Sequence, residues 1–272
     1  MSEIEFTAGG EVHALQVQHY PDGAPRVAHG ADESAIFAVL LRPRSLDTFF
    51  AALFWIDALR HRHGHRHTLL LPFVPGARQD RLTLTGDRLF TLRSVAQAIN
   101  DRQFDFVHVL DPHSDVAPAL IERCVVMSPA DILETHRDLP TYQAVIAPDG
   151  GAEKRAGAVA RMLGVRLLRA WKTREVGTGK ISGFGCEPIP AGVSRALVVD
   201  DICDGGGTFL GLREVLPNAL ELDLYVTHGL FSAGTEKLLT SFGHIYCTDS
   251  IIADRPGVTV LPICQTQLRE GA

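Results

Sequence analysis

The segment from Val198 to Phe209 holds three carboxylates, three glycines and a threonine within twelve residues. An apolar run leads into it and an amphipathic run follows it, which predicts a strand, a tight loop and the start of a helix. In such a loop the backbone N–H groups converge on an anion, the helix N-terminus adds a favourable dipole, and a threonine hydroxyl can donate to the same oxygens. The chemistry indicated is the binding of a phosphate group, with a simple glycine turn as the alternative.

The paired acids of this segment come at the carboxyl end of the predicted strand, where open α/β sheets bind their ligands. Two adjacent carboxylates suit the hydroxyls of a sugar, so the segment as a whole predicts a sugar-phosphate site. It resembles the loop that binds 5-phosphoribosyl 1-diphosphate (PRPP) in type I phosphoribosyltransferases and in PRPP synthetases. The candidate residues are Asp200, Asp201, Asp204, Gly205, Gly206, Gly207 and Thr208.

A second polar cluster, from Arg78 to Arg81, follows a predicted strand at 68–73. Arginine can bind phosphate, glutamine can bind a base edge and aspartate can hold an arginine in place, while a solvated charged loop is the alternative. The pattern Pro-Phe-x-x-x-Ala-Arg-Gln-Asp-Arg is similar to the ATP-contacting segment of PRPP synthetases, which phosphoribosyltransferases lack. The resemblance implies an ATP site that contains Arg78, Gln79, Asp80 and Arg81.

Two further strand ends carry residues that could bind a metal ion. Asp111 and His113 follow a predicted strand at 106–110, where the imidazole could ligate a metal and the acid could support it. Asp149 follows a predicted strand at 144–147 and precedes two glycines and a basic helix start. A purely structural strand end or turn is the alternative in both places. The resemblance to PRPP synthetases implies that His113 and Asp149, with Asp111 beside the histidine, bind the catalytic Mg²⁺.

The residues from Trp171 to Lys180 contain glycines and no apolar periodicity, which predicts a mobile loop after a strand at 165–170. Lys172 and Arg174 are alternate residues, so on an extended chain they would point the same way. Cations of this kind neutralise the charge that spreads over transferred phosphoryl oxygens, although a solvated charged hairpin is equally compatible. The catalytic loop of PRPP synthetases opens with Lys-x-Arg at this place, which implies a catalytic role for both residues.

The elements that position these residues alternate between strand and helix. A compact apolar strand at 35–41 precedes a helical pattern from Ser45 to Arg60, with Ser45 as its N-cap, and this order is typical of α/β folds. Periodicity weakens around 129–140, so we expect two domains, at residues 1–132 and 133–272. The resemblance implies two tandem phosphoribosyltransferase-type domains, each with a mainly parallel sheet flanked by helices, and an active site in the cleft between them.

The composition argues against some classes of protein. With a formal net charge of −6, the chain lacks the basic surplus that is typical of nucleic-acid binding. No apolar run reaches the roughly 18 residues of a membrane span, and the N-terminus has no signal-peptide pattern, so we expect a cytoplasmic protein. The five cysteines lack a CxxC spacing, and the four histidines of 61–67 are interpreted as a solvated turn rather than a metal site.

The resemblance to PRPP synthetases, or ribose-phosphate pyrophosphokinases, extends from about Tyr20 to Asp249. It implies a Mg²⁺-dependent enzyme with ATP as co-substrate, which transfers diphosphate from ATP to the anomeric hydroxyl of ribose 5-phosphate and releases AMP. It also implies a homo-oligomer, a dimer or larger. A phosphoribosyltransferase or a non-catalytic homologue would share the fold, and both are retained as alternatives.

Two departures from the family pattern affect the substrate. The family's adenine loop, which crosses a subunit interface, here keeps Tyr20 and Asp22 as candidate ATP-binding residues but has Ala24 where the family has glutamate. In the phosphate loop, Gly205 stands where the family has threonine, so one hydroxyl donor is lost and space is gained. A phosphodiester needs fewer donors and more space than a phosphate monoester. An alternative acceptor is therefore ADP-ribose, whose 1-diphosphate would be a precursor for remaking NAD.

Overall fold

The computed structural model describes residues 3–8, 11–28, 31–64, 66–82, 89–136, 138–174, 181–251 and 255–263. The chain divides into two compact units, the first reaching from the N-terminus to Met127 and the second from Ser128 to Ile263. The domain limits expected from the sequence, 1–132 and 133–272, stay a prediction. No described helix is both long enough and apolar enough to span a membrane.

The first unit is built on a six-stranded sheet in the order β2-β1-β5-β6-β7-β8. Strands β5 to β8 are parallel, whereas β1 is antiparallel to both of its neighbours. Strands β3 and β4 form a separate antiparallel hairpin. The elements are β1 (Ile4–Ala8), β2 (Glu11–Ala14), β3 (Gln16–His19), β4 (Pro25–Ala28), β5 (Ala38–Leu41), α1 (Leu46–His63), β6 (Thr68–Leu70), α2 (Thr91–Asn100), β7 (Val107–Leu110), α3 (Val116–Leu120) and β8 (Cys124–Met127).

Helix α1 shows how local sequence sets the limits of an element. The predicted cap is confirmed, because the Ser45 hydroxyl accepts a hydrogen bond from the Thr48 N–H at 3.1 Å. At the other end Gly64 adopts the left-handed conformation, with a φ of 75°, and closes the helix. The helix runs to His63, so the first histidines of the 61–67 tract are helical rather than part of a turn, and His65 lies outside the described residues.

The second unit is built on a seven-stranded sheet in the order β11-β10-β9-β12-β13-β14-β15. All neighbouring strands are parallel except β11, which is antiparallel to β10. The predicted α/β class, with mainly parallel sheets flanked by helices, is confirmed. The elements are α4 (Pro129–Glu134), β9 (Ala144–Ala147), α5 (Glu153–Leu163), β10 (Arg166–Arg174), β11 (Ile181–Cys186), β12 (Arg195–Cys203), α6 (Gly207–Val215), β13 (Glu221–Gly229), α7 (Glu236–Leu239), β14 (Ile245–Thr248) and β15 (Val258–Leu261).

Two sequence-based predictions in this unit are wrong in detail. Strand β10 continues to Arg174, whereas the sequence predicts a loop from Trp171, because pairing with β11 keeps these residues extended. Trp171 covers Gly185 on β11, where an added Cβ would lie 2.5 Å from the indole ring. The stretch around 129–140 contains helix α4, which the weak periodicity did not predict. Its signal is a capping box, in which the Ser128 N–H donates to the Asp131 carboxylate at 2.7 Å.

A buried carboxylate ties the amino ends of the second sheet together. Asp223 is 1% exposed on β13 and accepts hydrogen bonds from the Tyr142 hydroxyl at 2.8 Å and the Arg195 guanidinium at 3.2 Å. The backbone N–H of His244 donates to its other oxygen at 2.8 Å. These donors precede or begin strands β9, β12 and β14, so a single side chain fixes the starts of four adjacent strands. The cluster lies at the edge opposite to the strand ends that carry the candidate site.

We expect Asp223→Ala to lower the free energy of unfolding by about 3–5 kcal/mol, because the substitution leaves a partly buried guanidinium and a buried hydroxyl without their acceptor. Urea denaturation measures the loss. The matched control is Glu221→Ala, two residues earlier on β13. The Glu221 carboxylate is 70% exposed and 3.7 Å from Arg195, so its removal should change stability by less than about 1 kcal/mol. Equal losses in both variants would contradict the role assigned to Asp223.

Candidate active site

The carboxyl end of β12 presents two buried acids. Asp200 is 8% exposed and Asp201 is 4% exposed, and the Asp201 N–H donates to Asp200 Oδ1 at 2.9 Å. Burial and the negative charge of Asp201 raise the pKa of Asp200 well above its usual range. Two neighbouring carboxylates in this environment favour the binding of a cation, or of a hydroxyl that donates hydrogen bonds to their oxygens.

The cation that lies against both acids is not among the residues predicted from the sequence. Arg155 Nη1 is 3.6 Å from an oxygen of Asp200 and 3.6 Å from an oxygen of Asp201. The same nitrogen donates to the Gly151 carbonyl at 3.0 Å. The side chain comes from the first turn of α5, in the basic helix start that follows Asp149. That basic segment was the signal in the sequence, but nothing in it indicated which acids the guanidinium would reach.

The predicted phosphate loop forms the corner between β12 and α6. Gly206 has a φ of 78°, which glycine adopts readily and other residues rarely do, and it is the N-cap of α6. The loop is held from the neighbouring strand end, since the Ser232 hydroxyl lies 2.5 Å from Asp204 Oδ1 and the Ser232 N–H donates to the Asp204 carbonyl at 3.0 Å. Thr208 is partly exposed in the first turn of α6, next to the N–H groups of that turn. The corner therefore presents donors to an anion.

Positions 205 and 206 of this loop differ in whether the backbone conformation and the surrounding space require glycine. A Cβ added at Gly206 would lie 3.2 Å from the Leu238 side chain, in a backbone conformation that L-residues rarely adopt. A Cβ added at Gly205 would meet no atom within 4 Å, and its φ lies outside the left-handed region. The fold thus demands glycine at 206 but not at 205, where the solvent-facing space is open.

The candidates Lys172 and Asp149 form an ion pair. Lys172 Nζ lies 2.7 Å from Asp149 Oδ2, and the lysine side chain is only 13% exposed. The other oxygen, Oδ1, accepts hydrogen bonds from the N–H groups of Gly151 at 3.0 Å and Ala152 at 3.2 Å. The carboxylate therefore caps the short turn before α5 and also binds a cation. The Arg174 side chain lies outside the described part of the structure, as do residues 175–180.

In the first unit, the loops after β6 and β7 meet at Asp80. Burial raises the pKa of its carboxyl, but hydrogen bonds from Arg81 and Ser114 and the charges of Arg81 and His113 outweigh burial, so the net pKa lies below the usual range. Arg81 Nε donates to Asp80 Oδ1 at 2.9 Å, as expected for an acid that holds an arginine in place. Ser114 was not among the residues predicted from the sequence. Asp80 and His113, which come from separate polar segments, are thus brought together.

The remaining candidates of the first unit differ in their exposure. Arg78, Gln79 and His113 are exposed, and the Gln79 side-chain oxygen accepts a hydrogen bond from the Thr91 hydroxyl at the start of α2. Asp111 is buried and has a φ of 40°, a conformation that few residues other than glycine adopt and that recurs near functional sites.

Tyr20 and Asp22 lie in the turn of the β3–β4 hairpin, where Asp22 Oδ1 accepts a hydrogen bond from the Ala24 N–H at 3.0 Å. Among the described residues, no three His, Cys, Asp or Glu side chains cluster closely enough to bind one metal ion. The predicted metal ligands are divided between the units, since Asp111 and His113 belong to the first and Asp149 to the second.

Comparison with known proteins gives a consistent result. No family model matches the chain. A ribose-phosphate pyrophosphokinase of Thermococcus kodakarensis is 28% identical over 266 residues, which cover 94% of this chain and 92% of the relative. A ribose-phosphate pyrophosphokinase of Brucella melitensis is 30% identical over 244 residues, which cover 80% of this chain and 73% of the relative.

A solved structure agrees with these relatives. The crystal structure of phosphoribosylpyrophosphate synthetase from Mycobacterium smegmatis is similar with a TM-score of 0.74 and 25% identity, covering 95% of this chain and 89% of that chain. Similarity over nearly the full length accounts for both units of the fold. The predicted relationship is confirmed, and the chain belongs to the ribose-phosphate pyrophosphokinase family of transferases.

Proposed function

We propose that the protein transfers the diphosphate group of ATP to the anomeric 1-hydroxyl of a ribose 5-phosphate unit. The hydroxyl oxygen forms a bond to the β-phosphorus, the bond from that phosphorus to the α,β-bridging oxygen breaks, AMP leaves and the hydroxyl proton is released. The observation that carries the proposal is the corner between β12 and α6, where paired acids stand beside a phosphate loop. Family membership supports the same reaction.

The acceptor would bind at this corner. Asp200 and Asp201 have the carboxylate oxygens that accept hydrogen bonds from two ribose hydroxyls, and the loop from Asp204 to Thr208 offers N–H groups and one hydroxyl to the 5-phosphate. Ser232 keeps Asp204 in place through two hydrogen bonds. The ribose would therefore be held at both ends, which leaves its anomeric hydroxyl as the group to be presented for reaction.

ATP would bind to the exposed residues of the first unit. Arg78 and Arg81 carry the charge that phosphates need, and Gln79 carries an amide that can pair with a base edge. Asp80 is ionised and buried, so it fixes the direction of the Arg81 guanidinium. Tyr20 and Asp22, in the β3–β4 turn, are further candidates for contacts to the nucleotide.

In the second unit, Asp149 would bind a Mg²⁺ ion. In the first unit, His113, with Asp111 beside it, would bind Mg²⁺. The Asp149 carboxylate fits this role, because its Oδ2 already binds an ammonium group at 2.7 Å and carboxylate oxygens are ligands that Mg²⁺ prefers. When bound, the cation neutralises phosphate oxygens and lowers the pKa of a coordinated hydroxyl.

Lys172, and Arg174 in the same strand, would neutralise the charge that develops on the transferred group. Their cationic side chains serve this role without taking part in covalent chemistry. We also retain the sequence-based expectations of a cytoplasmic protein and of a homo-oligomer that is a dimer or larger.

The alternative acceptor, ADP-ribose, is favoured by the open space at Gly205. The fold would accept a side chain there, because an added Cβ meets nothing within 4 Å and the backbone is not left-handed. The absence of a side chain at position 205 is therefore better explained by the space that a ligand needs than by the backbone conformation. A bulky group attached to the 5-phosphate would use the space that a threonine side chain would fill.

Purified protein with Mg-ATP should release AMP when an acceptor is added, and the acceptor identifies the substrate. With ribose 5-phosphate as substrate, AMP and PRPP form in equal amounts, measured by chromatography. Turnover with ADP-ribose alone would establish the alternative, whereas turnover with ribose 5-phosphate alone would exclude it. No AMP with either acceptor would contradict the proposed function, and consumption of PRPP with a free base would indicate a phosphoribosyltransferase instead.

Gly205→Thr should separate the two acceptors. The added hydroxyl can donate to a phosphate monoester, so kcat/KM for ribose 5-phosphate should stay equal or rise by up to about tenfold, the effect of one hydrogen bond to a charged group. The added volume should lower kcat/KM for ADP-ribose by at least the same factor if this is the natural acceptor. Gly205→Ala is the matched control, since it adds a Cβ without a donor. Equal effects of Gly205→Thr on both acceptors would mean that position 205 does not select between them.

A further inference from the structure

A single guanidinium lies against both acids of the acceptor site. The side chains of Asp200 and Asp201 are 11% and 6% exposed, and the side chain of Arg155 is 10% exposed. Two neighbouring carboxylates repel each other strongly when they are removed from water. A cation that lies at equal distances from both offsets this repulsion without favouring either acid.

The geometry of this contact differs from an ordinary salt bridge. The nitrogen-to-oxygen distance of 3.6 Å to each acid is within range for charge attraction but too long for a hydrogen bond. Arg155 thus compensates the charge of the two acids from beyond hydrogen-bond distance. A hydroxyl of a bound sugar, in contrast, would hydrogen-bond directly to carboxylate oxygens.

The position of the guanidinium is fixed from behind. Its Nη1 donates to the Gly151 carbonyl at 3.0 Å, and the N–H of Gly151 in turn donates to Asp149 Oδ1 at 3.0 Å. Asp149 caps the short turn that leads into α5, the helix that carries Arg155. The guanidinium is therefore held by its own helix and by the turn before it.

We propose that Arg155 is a positioning residue, which offsets the repulsion between Asp200 and Asp201 and keeps both side chains oriented to accept hydrogen bonds from two hydroxyls of the ribose acceptor. The proposal rests on the proposed function, because it assigns those two acids to the acceptor. Arg155 itself acts through the acids and forms no bond to the reacting atoms. Its loss should weaken binding of the acceptor and spare binding of ATP.

The test compares Arg155→Met with Arg155→Lys, using whichever acceptor the wild type turns over. We expect Arg155→Met to raise KM for the acceptor roughly ten- to a hundredfold, the range for lost interactions with charged groups, while KM for ATP stays within about twofold. Arg155→Lys should recover part of the loss, because it keeps the charge. Arg161→Met, an exposed arginine on the same helix, is the matched control and should leave both KM values unchanged.

Folding is checked by thermal unfolding of each variant. If Arg155→Met does not fold, the test uses Arg155→Lys together with a double-mutant cycle against Asp201→Asn. An effect of Arg155→Lys that disappears in the Asp201→Asn background supports action through the acids, whereas an unchanged effect overturns it. Equal increases in KM for ATP and for the acceptor, or a loss of kcat alone, would also overturn the proposal.

A binding measurement separates this inference from the proposed function. Calorimetric titration with ribose 5-phosphate and with ADP-ribose reports acceptor affinity without turnover. If the wild type binds an acceptor but releases no AMP, the proposed function fails, and the affinity of Arg155→Met still decides the role of Arg155. If the wild type is active and Arg155→Met binds the acceptor as tightly as the wild type, only the inference on Arg155 is overturned.

Discussion

Two carboxylates that are buried side by side at the end of a strand are the constraint around which the second unit is arranged. Their repulsion would destabilise the end of β12 unless a cation stood near both, and the first turn of α5 places Arg155 in that position. The requirement fixes the entry of α5, because the guanidinium also bonds to the turn that Asp149 caps. The acids, the helix start and the Asp149–Lys172 pair therefore form one connected polar system.

The buried acids at the amino and carboxyl ends of the second sheet's strands have different roles. At the amino edge, Asp223 is saturated with donors from neighbouring strands, so its charge is fully used within the protein. At the carboxyl edge, the cation that compensates Asp200 and Asp201 lies 3.6 Å from an oxygen of each acid, beyond hydrogen-bond distance. Buried acids thus serve stability at one edge and the proposed ligand binding at the other. The two groups of acids differ in how closely their compensating cations approach.

The sequence could predict those parts of the site whose residues are contiguous along the chain. The residues from Asp200 to Thr208 form the corner of one strand and one helix, so their proximity follows from local structure, and strand and helix alternation was sufficient for the fold class. The contact of Arg155 with these acids and the bond from Ser232 to Asp204 depend on neighbouring strands, which periodicity does not reveal. The extension of β10 depends on pairing with β11, and its isolated sequence, rich in polar residues, resembles a loop.

The glycine at position 205 has a consequence for how this site can change over evolutionary time. A new side chain at most positions of a phosphate loop must be accommodated by shifts elsewhere, so neighbouring mutations must precede or follow it. At Gly205 the backbone is unconstrained and the space is empty, so one nucleotide exchange can introduce a side chain at little cost to folding. The contents of the acceptor site can therefore vary among relatives in single steps, while the residues that hold the loop stay fixed.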